Sequence, residues 1–419
     1  MILCPLLPGN QRSETQRLEE AAGLARAIDL EVVEARAVAV RTPKPGTLFG
    51  KGQVEGLAGD IAADEIGLVV VDWSLSPVQQ RNLEKAWNAK VIDRTGLILD
   101  IFGERARTKE GVLQVEMAAL SYQRSRLVRS WTHLERQRGG LGFVGGPGES
   151  QLEVDRRLID ERLARIRREL ETVVRTREQH RQARRKVPYP IVALVGYTNA
   201  GKSTLFNRLT GATVYADDQV FATLDPTMRG ITLPSGRKVI ASDTVGFISD
   251  LPTMLVAAFR ATLEEVIEAD VIVHVRDISD PDTEAQKQDV LDVMSQLGLD
   301  DKIQADGLVE VQNKIDLLDA EERERVDAVV RRRSDTVAIS AVTGEGTEHL
   351  MAVLDERLID GRRVVDLVVP VEDGRAMAFL YSHGEVLERR DDEAAIRVKV
   401  GLDPKDLARY ERMVAGRDG

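Results

Sequence analysis

No stretch constrains the fold of this chain more than residues 190–204, Pro-Ile-Val-Ala-Leu-Val-Gly-Tyr-Thr-Asn-Ala-Gly-Lys-Ser-Thr. Ile191 to Val195 is a short apolar run rich in β-branched residues, the pattern of a buried strand. Gly196 to Ser203 then spell G-x-x-x-x-G-K-S, a phosphate-binding loop. Gly196 and Gly201 let the backbone wrap a phosphate chain with the amides of Tyr197, Thr198, Asn199 and Ala200 turned inward. Lys202 reaches the β- and γ-phosphates, and the Ser203 hydroxyl suits Mg²⁺. The run from Thr204 to Leu209 reads as a helix whose N-terminus faces the phosphates. Alone, the motif also fits a plain glycine-rich turn; the flanking strand and helix are the context that phosphate binding requires.

Four further motifs follow in the order that a GTPase needs. Phe221-Ala222-Thr223-Leu-Asp-Pro-Thr227 reads as a loop in which Thr223 can close onto Mg²⁺ and the γ-phosphate. Val239 to Gly246 reads as a strand followed by Asp243-Thr244-Val245-Gly246; the acid can hold the metal shell and the Gly246 N–H can sense the γ-phosphate. Leu308 to Asp316 is a strand ending in Asn313-Lys314-Ile-Asp316. The Asp316 carboxylate can accept two hydrogen bonds from guanine, a donor pair that adenine lacks, while Asn313 braces the loop and the Lys314 stem covers the base. Val337 to Val342 runs into Ser340-Ala341-Val342, where the Ala341 N–H can meet the guanine oxygen. Together these predict a mostly parallel, helix-covered sheet with GTP or GDP at the strand C-termini and Mg²⁺ on Ser203 and Thr223. Lys202, Thr223 and Gly246 are the candidate catalytic groups. Asn199 is also placed to help hold a monovalent cation beside the phosphates.

One position breaks the usual pattern. Where Ras-type sites carry the glutamine that orients the attacking water, this chain has Phe247, which cannot polarise water. Hydrolysis of GTP to GDP and phosphate is therefore expected to be slow in the free protein and to quicken when a large partner orders the switches.

The rest of the chain suggests what that partner is. Residues 1–111 alternate strand-like and helical runs, an α/β domain. Within it Gly46 to Gly52 forms a glycine-rich loop that suits either an anion or a plain connection. In residues 112–186, Val112, Val115, Ala119 and Tyr122 step at helical spacing, and Ile159, Leu163, Ile166, Leu170 and Val173 make a heptad seam. Two long helices are expected, joined by Gly139-Gly-Leu-Gly-Phe-Val-Gly-Gly-Pro-Gly148. Arg156, Arg157, Arg165, Arg167, Arg168, Arg184 and Arg185 lie off the seam; such a row is either a solvated face or a surface for RNA. Residues 104–186 carry 20 Lys and Arg against 12 Asp and Glu, a net of +8, in a chain whose total is −11. The remainder is then −19, an asymmetry that points to a polyanionic partner at one end of the molecule. Residues 187–364 hold the nucleotide domain and residues 365–419 a small α+β domain. A single cysteine, Cys4, excludes an internal disulfide, and no apolar run approaches the length of a membrane span. The chain reads as a cytoplasmic monomer.

In these features the chain resembles the HflX-type ribosome-associated GTPases. The likeness rests on Gly50-Lys-Gly-Gln-Val-Glu55, Trp131-Thr-His-Leu-Glu-Arg-Gln137, residues 146–157, Gly196 to Asn207, Phe221 to Thr227, Asp243 to Ile248, and Asn313 to Asp316. It covers residues 45–250 and the base motif beyond them. The resemblance implies a P-loop GTPase domain with an N-terminal α/β domain, a long helical hairpin linker and a small C-terminal domain. It implies binding to the 50S ribosomal subunit and its RNA through the hairpin, and splitting or rescue of stalled 70S ribosomes under stress. Val144-Gly145 depart from the family pattern, which often has a basic residue there. The competing reading is a regulatory GTP switch whose N-terminal region binds a protein.

Overall fold

A computed structural model describes residues 1–8, 12–137, 151–184, 189–212, 220–221, 223–224, 227–249, 260–304, 307–359, 363–392, 395–402 and 404–415. The glycine-rich segment 139–148, Ala222 and Arg185 lie outside the described residues, as do the side chains of Trp131 to Gln137 and Arg184.

The first domain is a parallel sheet of β1 (Ile2–Leu6), β2 (Ala35–Ala39), β3 (Leu68–Val71) and β4 (Lys90–Asp93), in the order β2-β1-β3-β4. Its helices are α1 (Glu14–Arg26), α2 (Lys51–Ala63), α3 (Pro77–Trp87) and α4 (Arg94–Arg105). Local chemistry sets their starts. Ser13 caps α1, Ser76 and Gln79 form a capping box around Pro77, and the Asp93 carboxylate accepts from the Gly96 N–H at 2.8 Å to open α4. The loop around Gly46–Gly52 has connector geometry: Leu48 and Phe49 are buried, and the Gly50 N–H donates to Gln53 Oε1.

Two long helices follow, α5 (Lys109–Gln137) and α6 (Gln151–Arg184). Leu163 and Ile166 of the heptad seam are buried, as is Val115 of the first stripe, whereas Val112 is exposed and Leu113 and Ala118 bury in its place. Arg162 grips Glu116 across the pair with two bonds of 2.7 and 2.8 Å. Arg156, Arg157, Arg165, Arg167 and Arg168 lie exposed on α6.

The nucleotide domain is a six-stranded sheet in the order β10-β9-β8-β5-β7-β6. Its strands are β5 (Ile191–Val195), β6 (Thr227–Thr232), β7 (Lys238–Asp243), β8 (Val271–Asp277), β9 (Leu308–Asn313) and β10 (Thr336–Ala338). All pairings are parallel except that of the edge strand β6 with β7. Around the sheet lie α7 (Lys202–Thr210), α8 (Arg260–Glu268), α9 (Thr283–Gln296), α10 (Asp300–Gln304), α11 (Ala320–Val330) and α12 (Thr347–Ile359). The last domain is an antiparallel sheet, β11 (Arg363–Pro370), β12 (Gly384–Asp391) and β13 (Ala395–Leu402), with α13 (Gly374–His383) and α14 (Pro404–Ala415).

The hydrophobic core does not stop at residue 187. One cluster runs from Ile2, Leu24 and Phe102 through Val115 to Ala193, Phe221, Val245, Phe247 and Leu263. The first domain, the root of the hairpin and one face of the nucleotide sheet are therefore a single packed unit.

His274, on β8, is buried in that face beside its cross-strand neighbour Glu310. Burial pushes its imidazole down to about 3, against the opposing pull of Glu310 and with Arg276, Lys287 and Lys202 adding to the shift. The unfolded chain, with a histidine pKa near ~6.5, takes up the proton first. The stability that His274 lends is thus complete above that value and drains as pH falls toward 3. At pH 5 the loss is about 2 kcal/mol. Denaturation at pH 7.5 and 5 checks this: the drop in stability of the parent should exceed that of His274→Val by about that amount.

Candidate functional site

The motifs meet at one edge of the sheet because β5, β7, β9 and β10 are parallel and end there. Gly196 and Gly201 have φ of 152° and 89°. A Cβ on Gly196 would sit 2.1 Å from the Val275 carbonyl, and one on Gly201 2.3 Å from Asn313 Nδ2, so both positions require glycine.

Ser203, Thr223 and Asp243 converge. Ser203 Oγ lies 2.9 Å from Thr223 Oγ1 and donates to Asp243 Oδ2 at 2.7 Å; Thr223 Oγ1 donates to the same oxygen at 3.0 Å. Asp243 Oδ1 is buried without a partner. Burial raises the Asp243 pKa, opposed by Ser203, Lys202 and Thr223. Two hydroxyls around a carboxylate with an idle oxygen are a hard-oxygen set of the kind that Mg²⁺ takes. Among the described residues no group of three or more His, Cys, Asp and Glu forms a metal site.

Lys202 is buried, and its Nζ donates to the carbonyls of Gly196 at 3.1 Å and Tyr197 at 2.6 Å. Burial lowers it to about 8, with Asp243 pulling the other way. The Thr198 N–H donates to the Phe247 carbonyl at 2.7 Å, and the Phe247 N–H to the Gly196 carbonyl at 3.0 Å. A Cβ on Gly246 would lie 2.9 Å from Thr198 Cα and 3.1 Å from Lys202 Nζ. The segment after Asp243 is thus folded onto the phosphate loop, whose amine and one of whose amides are engaged by the protein itself.

Several predicted residues face elsewhere. The Thr244 hydroxyl donates to the Leu194 carbonyl at 2.6 Å inside the sheet, and Val245 is core. Phe221, whose φ is 56°, is core as well, edge-on to Phe102 at 4.8 Å. Phe247, read as a switch residue, is also buried. Tyr197 points away from the loop toward the first domain. Its hydroxyl accepts from Arg12 and from the Ser249 N–H, both at 2.9 Å, and donates to Glu20. Glu20 also accepts from Ser249 Oγ at 2.8 Å and from Arg94, while Arg94 bonds the Ser249 carbonyl at 3.0 Å and pairs with buried Asp72. Burial works against the Glu20 carboxylate, but Arg94, Tyr197 and Arg12 outweigh it and hold its pKa below the usual range. No sequence motif pointed to Arg12, Glu20 or Arg94, which lie 100 residues or more from the Tyr197 and Ser249 that they bind, or to Asp72, which pairs with Arg94.

At the base end, Asn313 Nδ2 donates to the Ala200 carbonyl at 2.8 Å. The Ala341 N–H, expected to face a guanine oxygen, donates to Asn313 Oδ1 at 2.9 Å, because an amide fixed at one end turns its oxygen that way. Lys314 pairs with Asp277 at 2.7 Å. Asp316 is exposed at the rim, and the Ser340 hydroxyl accepts from the Thr343 N–H inside its turn. Asn199 and Val342 are exposed, and Thr204 is half-buried in the first turn of α7.

A parallel sheet with the phosphate loop, the D-x-x-G segment and the N-K-x-D segment at one edge defines a P-loop GTPase. Residues 15–103 match the model described as GTP-binding GTPase N-terminal, 105–184 GTP-binding GTPase Middle Region, 191–314 50S ribosome-binding GTPase, and 325–418 HflX C-terminal domain. The chain is 51% identical to the GTPase HflX of Magnetococcus marinus over 98% of its own length and 94% of that protein's. It is 42% identical to the GTPase HflX of Escherichia coli, over 95% and 92% of the two chains. The crystal structure of a GTP-binding protein from Sulfolobus solfataricus in complex with GDP is 22% identical, with a TM-score of 0.43, covering 86% of this chain and 99% of that one. The chain belongs to the HflX family of GTPases and is a GTP hydrolase. Among the described residues no helix is long and apolar enough to cross a membrane.

Proposed function

We propose that this GTPase acts on the ribosome: it binds the 50S subunit through ribosomal RNA and splits or rescues stalled 70S ribosomes, working in the cytoplasm as a monomer. The observation that carries the reading is the exposed arginine row on α6, Arg156, Arg157, Arg165, Arg167 and Arg168, in a chain that is otherwise strongly acidic. The match of residues 191–314 to a model of 50S ribosome-binding GTPases supports it. Phosphate contacts by such a row release counterions. Co-sedimentation with 50S subunits should therefore weaken by about 10³ or more between roughly 50 and 200 mM salt if six or more contacts form. Changing Arg156, Arg165 and Arg168 to Glu should abolish it. A shallow salt dependence would favour a protein partner instead.

In the nucleotide site the phosphates take the Lys202 amine and the loop amides, and Asp316 reads the base. Ser203 and Thr223, backed by Asp243, would hold Mg²⁺, which neutralises charge on the phosphates when bound. Gly246, with no side chain, lets its segment lie against Lys202, where its N–H can meet the γ-phosphate. The contacts of Ser249 and Tyr197 with Glu20, Arg12 and Arg94 tie this segment to the first domain, so a partner that shifts that domain also moves the switch. Turnover is slow without such a partner, because Phe247 is a core side chain and orients no water. Phe247→Gln accordingly creates no fast enzyme. It removes a buried ring and buries an amide, a loss of about 3 kcal/mol or more. Turnover and melting measured together check this, and rapid partner-free hydrolysis by the variant would contradict it. Equal rates in Na⁺ and K⁺ would remove any role for Asn199 in holding a monovalent cation.

A further inference from the structure

We propose that Arg208 is a positioning residue that sets how long a guanine nucleotide stays bound, by strapping the base-reading loop to the helix of the phosphate loop. The proposal rests on the assignment of Asn313, Asp316 and Ser340 to Val342 to the base. Arg208 lies on α7, two turns beyond the phosphate loop, and reaches across to the loop after β10. Its Nε donates to the Ala341 carbonyl at 2.9 Å, and its NH2 donates to the Val342 carbonyl. The peptides around Ala341 are thereby gripped on both sides, since the Ala341 N–H is held by Asn313, itself bonded to the phosphate loop at Ala200.

The loop is shaped to admit the guanidinium. Gly344 has a φ of 92°, and a Cβ there would fall 2.8 Å from Arg208 NH1. The turn's other bonds are mostly internal, from the Ser340 N–H to the Glu345 carbonyl, the Gly344 N–H to the Ser340 carbonyl and the Thr343 N–H to Ser340 Oγ; from outside it, Arg323 reaches Glu345 and Asn313 holds the Ala341 N–H. Arg208 is the tie that joins the Ala341–Val342 rim of this turn to α7. With Arg208 in place, the Ala341–Val342 rim must part from α7 before it can open over the base; without it, the rim is left to Asn313 and opens more readily. Such a contact acts on the rate of departure far more than on the rate of arrival. Both bonds are charge-assisted but partly open to water, so their loss should speed release by about tenfold, equivalent to about 1.4 kcal/mol.

The test is release of a fluorescent GDP analogue from the full chain, chased with unlabelled GDP. Arg208→Ala should release it about tenfold faster, with association and the melting temperature of the nucleotide-free protein unchanged. Arg208→Lys, which can reach one carbonyl at a time, should fall between. A role in stability alone would lower the melting temperature and leave release untouched. Release from Arg208→Ala at the parent rate overturns the proposal. Asp316→Asn in the same assay tells two failures apart: if it loses GDP, only the strap is wrong; if it does not, the base assignment falls too. Should Arg208→Ala not fold, Arg208→Lys and Arg208→Gln carry the same test.

Discussion

Asp316→Asn should weaken GTP and GDP binding by at least two orders of magnitude and raise affinity for xanthosine nucleotides. On the proposed base assignment the carboxylate would accept from two adjacent guanine N–H groups, each a charge-assisted bond. An amide offers one acceptor oxygen, and its NH₂ meets a guanine donor head-on. Hydrogen bonds to charged groups are worth about 1.5–3 kcal/mol each, so losing one and opposing another costs about 3 kcal/mol or more. Xanthine carries a carbonyl where guanine carries its amine, so the same NH₂ then finds an acceptor. The variant should fold normally, because Asp316 is exposed on the short turn Ile315–Leu317 rather than part of the core. Titration with labelled GDP and XDP measures both effects, and unaltered preference for guanine would place base recognition elsewhere.

Arg94→Met should be the most damaging single change outside the nucleotide site. Arg94 is 7% exposed and pairs with Asp72, 5% exposed, and with Glu20. The methionine fills the volume but takes the shared cation from buried Asp72 and partly buried Glu20, which are left to Arg17 and Arg12, and leaves the Ser249 carbonyl without its donor. Breaking a buried ion pair from one side costs about 3–5 kcal/mol. Urea unfolding reads the loss, and hydrogen exchange at residues 245–249 should rise with it. Adding Asp72→Asn should recover part of the stability, since neighbours in one network are not additive. A loss below about 1 kcal/mol would mean that water already solvates the arginine.

Where a local period or motif existed, the sequence could be read closely. Residues 191–195 are the strand expected, because the apolar run and Gly196 mark its bounds. The helix Arg94–Arg105 was not legible. Arg94 to Leu99 are all buried, so no polar face shows a helical period, and Gly96, Ile98 and Ile101 are weak helix formers. In the site, β5, β7, β9 and β10 bring their motif segments to one end of the sheet, but motif logic says nothing of where a side chain is drawn by a second domain. Tyr197 and Phe221 face the first domain because Glu20, Arg12 and Phe102 are there, and those partners are distant in sequence. Val112 shows the converse: helical spacing alone does not say which side of a stripe meets its neighbour.

The most direct measurement is GTP turnover by the full chain alone, with purified 50S subunits, with 70S ribosomes and with an unrelated RNA of equal phosphate content. A ribosome-acting GTPase read through its hairpin should turn over slowly alone and be strongly stimulated by 50S or 70S particles. Deleting residues 139–148 should remove that stimulation, while GTP binding persists. Turnover that is unchanged by ribosomes, or raised equally by any RNA, would contradict the ribosomal role and leave a GTP switch with a protein partner.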